Sequence, residues 1–469
     1  MSTFSGINTA YSALAAARLG IELTGQNIAN QTSAGYTRQR LTTSAIDAVA
    51  QAGRFSLGAV PGQGVQVDGI ARLGNAMLDA RVRDTLAASG FWSTRATVAL
   101  TAEAAMAEPS EMGLSNTLSG FWSGWQDLAN APDSDAAAAV VLNDASVLTS
   151  QISAGYSAVS SQWNNVRADV DRIVTQVNVA GDQIATLNGE IRNALNSGRS
   201  ANELIDQRNL LAQNVARMAG GQSTLEADGT LTVRIDGNAL VDGVNSRHLV
   251  TGGPTGVAAG ERVTVAWETR PGTAIGLSGG ELGGMLSVLA PASEGGTLAQ
   301  LADAYNEVAT ELAASVNAVH RTGETVDGVA GGDFFAIDAN GPAALNLSVV
   351  PQTRAELALA APGAGAFDGS IADAISQIGQ QAASPDAVWT EVVTTFGVAT
   401  AGSAQRANLA ETASVTAVGA QQSVASVDGD EETINLLTYQ TAYQAAARVL
   451  TAVDEALDVL INRTGLVGR

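Results

Sequence analysis

The chain has 469 residues, long enough for about two to four domains with real cores, and its 24 basic against 46 acidic residues give a formal charge of −22. That acid excess repels phosphate backbones, and because all the basic residues are arginine the chain lacks the lysine that phosphate loops and Schiff-base chemistry need; no nucleic-acid partner is expected. With no cysteine and only His248 and His320 there is no thiol chemistry, no Cys-based zinc site and no three-histidine metal centre, so no cofactor or metal is expected, and no run approaches the ~18 apolar residues of a membrane span.

Segment 1–35 opens the chain with Ile7, Leu14, Ile21 and Ile28, one every seven residues, and a weaker second seam of Ala10, Ala17 and Thr24. This pattern predicts an amphipathic helix with a narrow apolar face. It runs into "NIANQTSAGYTRQR" (27–40), where Asn30-Gln31-Thr32-Ser33 breaks the pattern and Gly35 permits a turn. The N-terminus has no basic region followed by a pure apolar core, so it is not a standard secretory signal. Either the protein stays in the cytoplasm or it leaves by a route that does not read such a signal.

Segment 36–90 reads as mixed or extended, and 91–220 as the first part of a helical domain. Within the latter, Trp163, Val166, Val170, Ile173, Val177, Ala180, Ile184, Leu187, Ile191 and Ala194 alternate spacings of three and four without a miss. That is the coiled-coil pattern, and it predicts a rod of about 48 Å closed by Asn196-Ser197-Gly198. Segment 221–290 reads as a β-rich outer domain. Asp228-Gly229, Asp236-Gly237 and Asp242-Gly243 punctuate β-favouring runs such as "TLTVRI" (230–235) and "ERVTVAWE" (261–268), the pattern of hairpins.

Segment 291–322 returns as a helix with a looser seam, Leu298, Leu301, Tyr305, Val308, Leu312 and Val319, which places Ser315 on the stripe. Segment 323–385 is mixed and contains "GGDFFAID" (331–338), a turn into a buried strand; 386–430 is the last part of the helical domain. Segment 431–469 closes the chain with Leu436, Tyr439, Tyr443, Ala446, Leu450, Val453, Leu457 and Leu460 on one seam, and Gly465 as its stop. Its start carries Asp428 as cap and Glu431 at capping-box spacing. The fold class is therefore mainly α with β-rich inserted modules (α+β): terminal helices pairing as a coiled coil, a long internal helical bundle and an outer β-rich domain. Each terminal seam is too narrow to stand alone, and the economical partner is the other terminus or the same termini of a neighbouring molecule.

Candidate chemistry is weak. "VDGDEETI" lacks the loop spacing of a calcium site and suits a helix N-terminus. Glu22 beside the Ile21 seam suits a solvated or inter-helix contact. His320 ends a helix, where the dipole welcomes a cation, and His248 has no triad nearby. Carboxylate pairs exist in any chain with 46 acids, but none stands in an aromatic-lined context. Nothing here makes an enzyme.

The two ends carry a resemblance. Ala29, Asn30, Thr32, Gly35, Tyr36 and Arg38 resemble an ANxxTxGYxR-like stretch found in flagellar rod, hook and hook-associated proteins, with Thr32 one position before the motif's threonine. Asn435, Leu436, Tyr439, Gln440, Tyr443, Gln444 and Ala445 resemble the matching C-terminal segment, although Asp428-Gly429 stands where those proteins tend to have Asn-Leu. "QIATLNGEIRNALNSGRSANELIDQRNLLAQNVARM" (183–218) and "LADAYNEVATELAASVNAVHRTGETVDGVAGGDFF" (301–335) narrow it to the flagellar hook-associated protein 1 family.

That resemblance implies a structural adaptor at the hook–filament junction, outside the cell. It also implies terminal helices lining the inner tube and export without a cleaved signal peptide through the flagellar type III apparatus. The implied partners are copies of itself, hook protein, hook-associated protein 3 and an export chaperone on the C-terminal helix. The seams and the motifs together make Ile7, Leu14, Ile21, Ile28, Asn30, Thr32, Gly35, Tyr36, Arg38, Leu436, Tyr439, Gln440, Tyr443, Gln444, Ala446, Leu450, Val453, Leu457 and Leu460 the expected subunit-contact residues, with Arg40 beside them. The alternatives are a secreted enzyme, such as a peptidoglycan hydrolase carried on flagellar-type export ends, or another axial protein of hook or rod.

Overall fold

The structure, a computed structural model, describes residues 3–47, 62–459 and 461. Leu460 and Gly465 lie outside the described residues.

Helix α1 (Thr3–Ala29) turns at 30–38 into an antiparallel hairpin of β1 (Gln39–Ala45) and β2 (Val65–Arg72). The extended chain stops there. Asn75 accepts hydrogen bonds from the Met77 and Leu78 amides and starts α2 (Ala76–Met106), as its short polar side chain favours. Next come α3 (Leu114–Asn130), the 62-residue α4 (Asp135–Asn196) and α5 (Asn202–Ala219).

The β-rich region holds a four-stranded antiparallel sheet in chain order, β3 (Gln222–Leu225), β4 (Leu231–Ile235), β5 (Asn238–Asp242) and β6 (Asn245–Ser246), and a separate hairpin of β7 (Leu249–Gly252) and β8 (Thr264–Trp267). The Asp-Gly reading holds in detail at β4–β5. Asp236 and Gly237 both take positive φ, 49° and 74°, as a two-residue hairpin of this twist requires.

The chain continues through α6 (Gly280–Val288), α7 (Thr297–His320), β9 (Phe335–Ile337), α8 (Ala343–Asn346), β10 (Leu347–Val349) and α9 (Ser370–Ser376). It closes with α10 (Pro385–Ala425) and α11 (Gly429–Asp458).

The long apolar alternation belongs to α4, but α4 is the spine of a helical domain and not one strand of a coiled coil. Trp163, Val166, Val170, Ile173, Val177, Ala180, Ile184, Ile191 and Ala194 are buried and Leu187 half-buried, under α3, α5, α7 and the small sheets. Two asparagines on this helix fasten the β modules. Asn178 exchanges hydrogen bonds with both the amide and the carbonyl of Leu249, and Asn188 does the same for Leu231. Periodicity alone cannot tell such a spine from a coiled coil, because both bury one stripe.

In α7 the seam drifts from the expected track. Val316, Asn317 and His320 are buried, while Ser315 turns its hydroxyl back to the Glu311 carbonyl. Asn317 secures the turn into β9 by accepting from the Phe334 and Phe335 amides and donating to the Phe335 carbonyl. Phe334 then packs edge-on to Trp125 of α3 at 5.2 Å.

His320 corrects the expectation of a cationic helix end. It is 1% exposed, accepts the Ala358 amide at Nε2 (3.0 Å) and donates from Nδ1 to the Gly332 carbonyl (2.8 Å). Burial lowers its pKa, and the ring is a neutral structural crosslink.

Two antiparallel helix pairs complete the architecture. α2 and α10 run side by side in a constant register, tied by Gln421 to Asp79 (2.6 Å) and Ser89 to Glu411 (2.7 Å), with Gly397 opposite Glu103. α1 and α11 form the second pair, attached to the rest through the turn after α1 and the β1–β2 hairpin.

Candidate functional site

The pairing of α1 with α11 follows one register throughout. Gly6 faces Val453, Gly20 faces Tyr439, and Asn27 donates to Glu432 (3.1 Å), so the partners advance by fourteen and then seven residues on both helices. Small side chains allow the close approach. A Cβ on Gly20 would sit 2.5 Å from the Tyr439 ring, and Ala10, Ala16, Ala17, Leu23 and Thr24 are buried on the same helix.

This inverts the two N-terminal seams. The alanine-and-threonine seam faces inward. The larger stripe stands at the margin: Ile7, Leu14 and Ile21 are half-buried, and Ile28 and Tyr11 are exposed, at 37% and 65%. On α11, Ala446 is buried, Leu436, Tyr439, Leu450, Val453 and Leu457 are half-buried, and Gln440, Tyr443 and Gln444 are exposed. Glu22 is solvated beside Arg18, with which it forms an exposed i, i+4 pair.

The turn after α1 is a polar joint. Asn30 donates to the Gln26 carbonyl and accepts from Ser33, closing the helix. Thr32 is exposed on the rim of a cleft of about 430 Å³ between residues 31–37, α5 and the end of α10. Gly35 beside Leu210 takes φ +78°, a left-handed backbone that favours glycine.

Beyond it every backbone group from the Thr37 amide to the Gln39 carbonyl, save the Thr37 carbonyl, has a partner. Asp206 accepts from Thr37 N–H (2.9 Å), and the Arg38 N–H reaches the Ala425 carbonyl (2.8 Å). Leu73 N–H donates to the Arg38 carbonyl (2.9 Å), and Asn27 brackets Gln39 with a bond to its carbonyl (2.9 Å) and one from its amide (3.1 Å).

Tyr36 and Arg38, expected to meet neighbouring subunits, are used within this one. The Tyr36 hydroxyl donates to Asn27 Oδ1 at 2.9 Å. Burial, then the charges of Asp206, Glu203 and Glu432, push its pKa up to about 12, so it stays a donor. Arg38 forks onto Glu432 (2.7 Å) and Glu431 (2.6 Å). Burial works against its charge, but the hydrogen bonds it donates to both glutamates outweigh that and raise its pKa. Glu431 therefore does not close a capping box; Asp428 alone caps α11, accepting from the Asp430 and Glu431 amides. Arg40 is exposed.

The relay continues inward. Asp206 also binds Arg72 (2.5 Å), which lies 3.9 Å from Asp79, the carboxylate held by Gln421. Asn202 joins it through Gln39 Oε1 and the Ile70 carbonyl. Sequence reasoning missed Asn27, Gln39, Glu432, Asp206, Arg72 and Asn202. Asn27 had a local signal, a polar residue three after Thr24 on the inward seam. Asp206 and Arg72, 134 residues apart, had none.

Among the described residues no cluster of three or more His, Asp or Glu side chains is arranged to hold a metal ion, and no helix is long and apolar enough to cross a membrane.

The chain is a helical body carrying small β modules, with its first and last helices paired at one end through a polar joint. Residues 422–463 match the family described as "Flagellar basal body rod FlgEFG protein C-terminal", and residues 100–335, half of the chain, match "Flagellar hook-associated protein FlgK helical domain". The chain belongs to the FlgK family of flagellar hook-associated proteins.

It is 28% identical to flagellar hook-associated protein 1 of Bacillus subtilis, over the full length of both chains. It is 29% identical to the protein of that name from Salmonella typhimurium, with 71% of this chain covering 59% of that one. The fold matches that of the flagellar hook junction protein FlgK from Burkholderia pseudomallei with a TM-score of 0.63 at 17% identity, over 74% of this chain and all of that one.

Proposed function

We propose that this chain is a structural subunit of the bacterial flagellum, the adaptor seated between hook and filament, and that its paired end helices pack against those of neighbouring subunits along the axis. The observation that carries this is the inverted seam. α1 turns small residues to α11 and leaves Ile7, Tyr11, Leu14, Ile21 and Ile28 along a face that nothing among the described residues covers fully. On α11, Ile434, Leu437 and Val449 are likewise more than half exposed. Two such stripes on a thin helix pair suit burial between copies.

In this reading hook protein lies on one side and hook-associated protein 3 on the other. An export chaperone covers the apolar face of α11 before assembly, and the chain leaves unfolded through the flagellar type III apparatus without a cleaved signal. The family assignment and the exposed α11 face support these partners.

Imaging of cells lacking the protein tests the role: hooks without filaments, and flagellin shed into the medium, are expected. Normal filaments on those cells would rule the junction role out.

A further inference from the structure

We propose that Asn340 is a self-modification site: the Gly341 backbone nitrogen attacks its side-chain amide, and the asparagine becomes an aspartate or its β-linked isomer with no enzyme involved.

Asparagine is a thermolabile residue, and a glycine after it opens the side chain to attack because no Cβ stands in the way. The chain holds two Asn-Gly pairs, Asn188-Gly189 and Asn340-Gly341. They stand in opposite surroundings.

Asn188 lies inside α4 and is fully buried. Its Nδ2 donates to the Leu231 and Gly243 carbonyls (2.9 and 2.7 Å). Its Oδ1 accepts from the Leu231 amide and from Arg208 Nη1 (2.9 and 3.1 Å). Those bonds use the full capacity of a side-chain amide, and the helix ladder engages the Gly189 N–H. A nitrogen held in that way cannot reach the Asn188 side chain.

Asn340 stands in the exposed turn between β9 and α8. One atom holds it: Asp338 Oδ1 accepts from both the Asn340 backbone N–H and Nδ2, each at 2.9 Å. Among the described residues neither Asn340 Oδ1 nor the Gly341 N–H has a hydrogen-bond partner, and both residues are exposed. Glycine is also required at 341. Its φ is +156°, and a Cβ there would come 2.8 Å from Asn346 Nδ2. The turn therefore retains the susceptible pair.

The step balances with water alone. The Gly341 amide gives its proton to hydroxide and its nitrogen bonds to Asn340 Cγ. The Cγ–Nδ2 bond breaks, and Nδ2 leaves as ammonia with a proton from solvent. Water then opens the cyclic imide at either carbonyl, giving an α- or a β-linked aspartate. The turn changes in kind, because the Nδ2 donor to Asp338 gives way to a carboxylate. Two negative charges then stand where a hydrogen bond stood.

Purified full-length protein, incubated at pH 6 and pH 9 and then cut after arginine, tests this. Residues 322–354 and 173–192 fall in separate peptides, each carrying one of the pairs. Against an unincubated aliquot, mass spectrometry should find Asn340 converted to both isomers, faster at pH 9 than at pH 6. It should convert at least about tenfold faster than Asn188, which reacts only after α4 opens locally. Asn340→Gln, an exposed change that keeps the amide but enlarges the ring to be closed, should abolish conversion at 340. Asn188 converting as fast as Asn340, conversion at Asn346 instead, or Asn340 intact after the urea-unfolded chain has converted would overturn the proposal.

Discussion

Arg38 carries the joint between the axial pair and the body, because it neutralises Glu432, which is 2% exposed. Arg38→Ala should cost about 3–5 kcal/mol, since it leaves a buried carboxylate unpaired. Glu431→Ala, at the exposed end of the same fork, should cost under about 1 kcal/mol. Urea denaturation of the two variants measures the contrast; equal losses would mean that Glu432 finds another partner.

His320 supplies a pH dependence. Its pKa in the folded state is below the ordinary value of 6.5, so the unfolded chain binds the proton more readily. Its stabilisation is complete above that value and is lost as pH falls below it toward the folded-state pKa. Asp333, the acid near it, opposes the shift only in part, and the raised carboxyls of Asp303 and Asp386 act in the reverse sense. His320→Gln should therefore be less stable at pH 7.5 and should lose less of its stability on going to pH 5 than the parent does. An unchanged slope in thermal melts would count against a neutral buried ring.

At the scale of elements, the end helices show what sequence could and could not reveal. The existence of α1, α4, α7 and α11 was legible, because each repeats apolar residues at helical spacing. Which face of α1 turns inward was not. The isoleucine stripe is the stronger hydrophobic signal, but helix pairing here is limited by how closely two backbones approach, and alanine and glycine win that contest. The joint was half legible: its turn chemistry is local, while the carboxylates that anchor it arrive from α5 and α11.

Gly20 tests the argument. Gly20→Val should open the pair, because its side chain meets the Tyr439 ring, and adding Tyr439→Ala should recover much of the loss. Helix content by circular dichroism reads this. By contrast Ile21→Ser, on the outer face, should leave the monomer folded and reduce filament attachment.

Across the whole molecule stability is uneven. α4 buries twenty of its residues, α11 only Glu432 and Ala446 among those described. Limited proteolysis of purified protein should then remove roughly the first 30–60 and last 30–50 residues and leave a resistant core. Ends as resistant as the core would contradict the idea that they await partners. A chain cut back before 436 should remain soluble and folded in its body, yet fail to attach filaments.

The fixed register of α1 on α11 has a temporal consequence. About 400 residues separate the two helices. At a synthesis rate of ~5–20 residues per second, α1 waits on the order of 20–80 s for its partner to emerge. Throughout that interval its alanine face has nothing of its own chain to meet. Delay is thus written into the connectivity: during synthesis this pairing is among the last contacts open to the described residues.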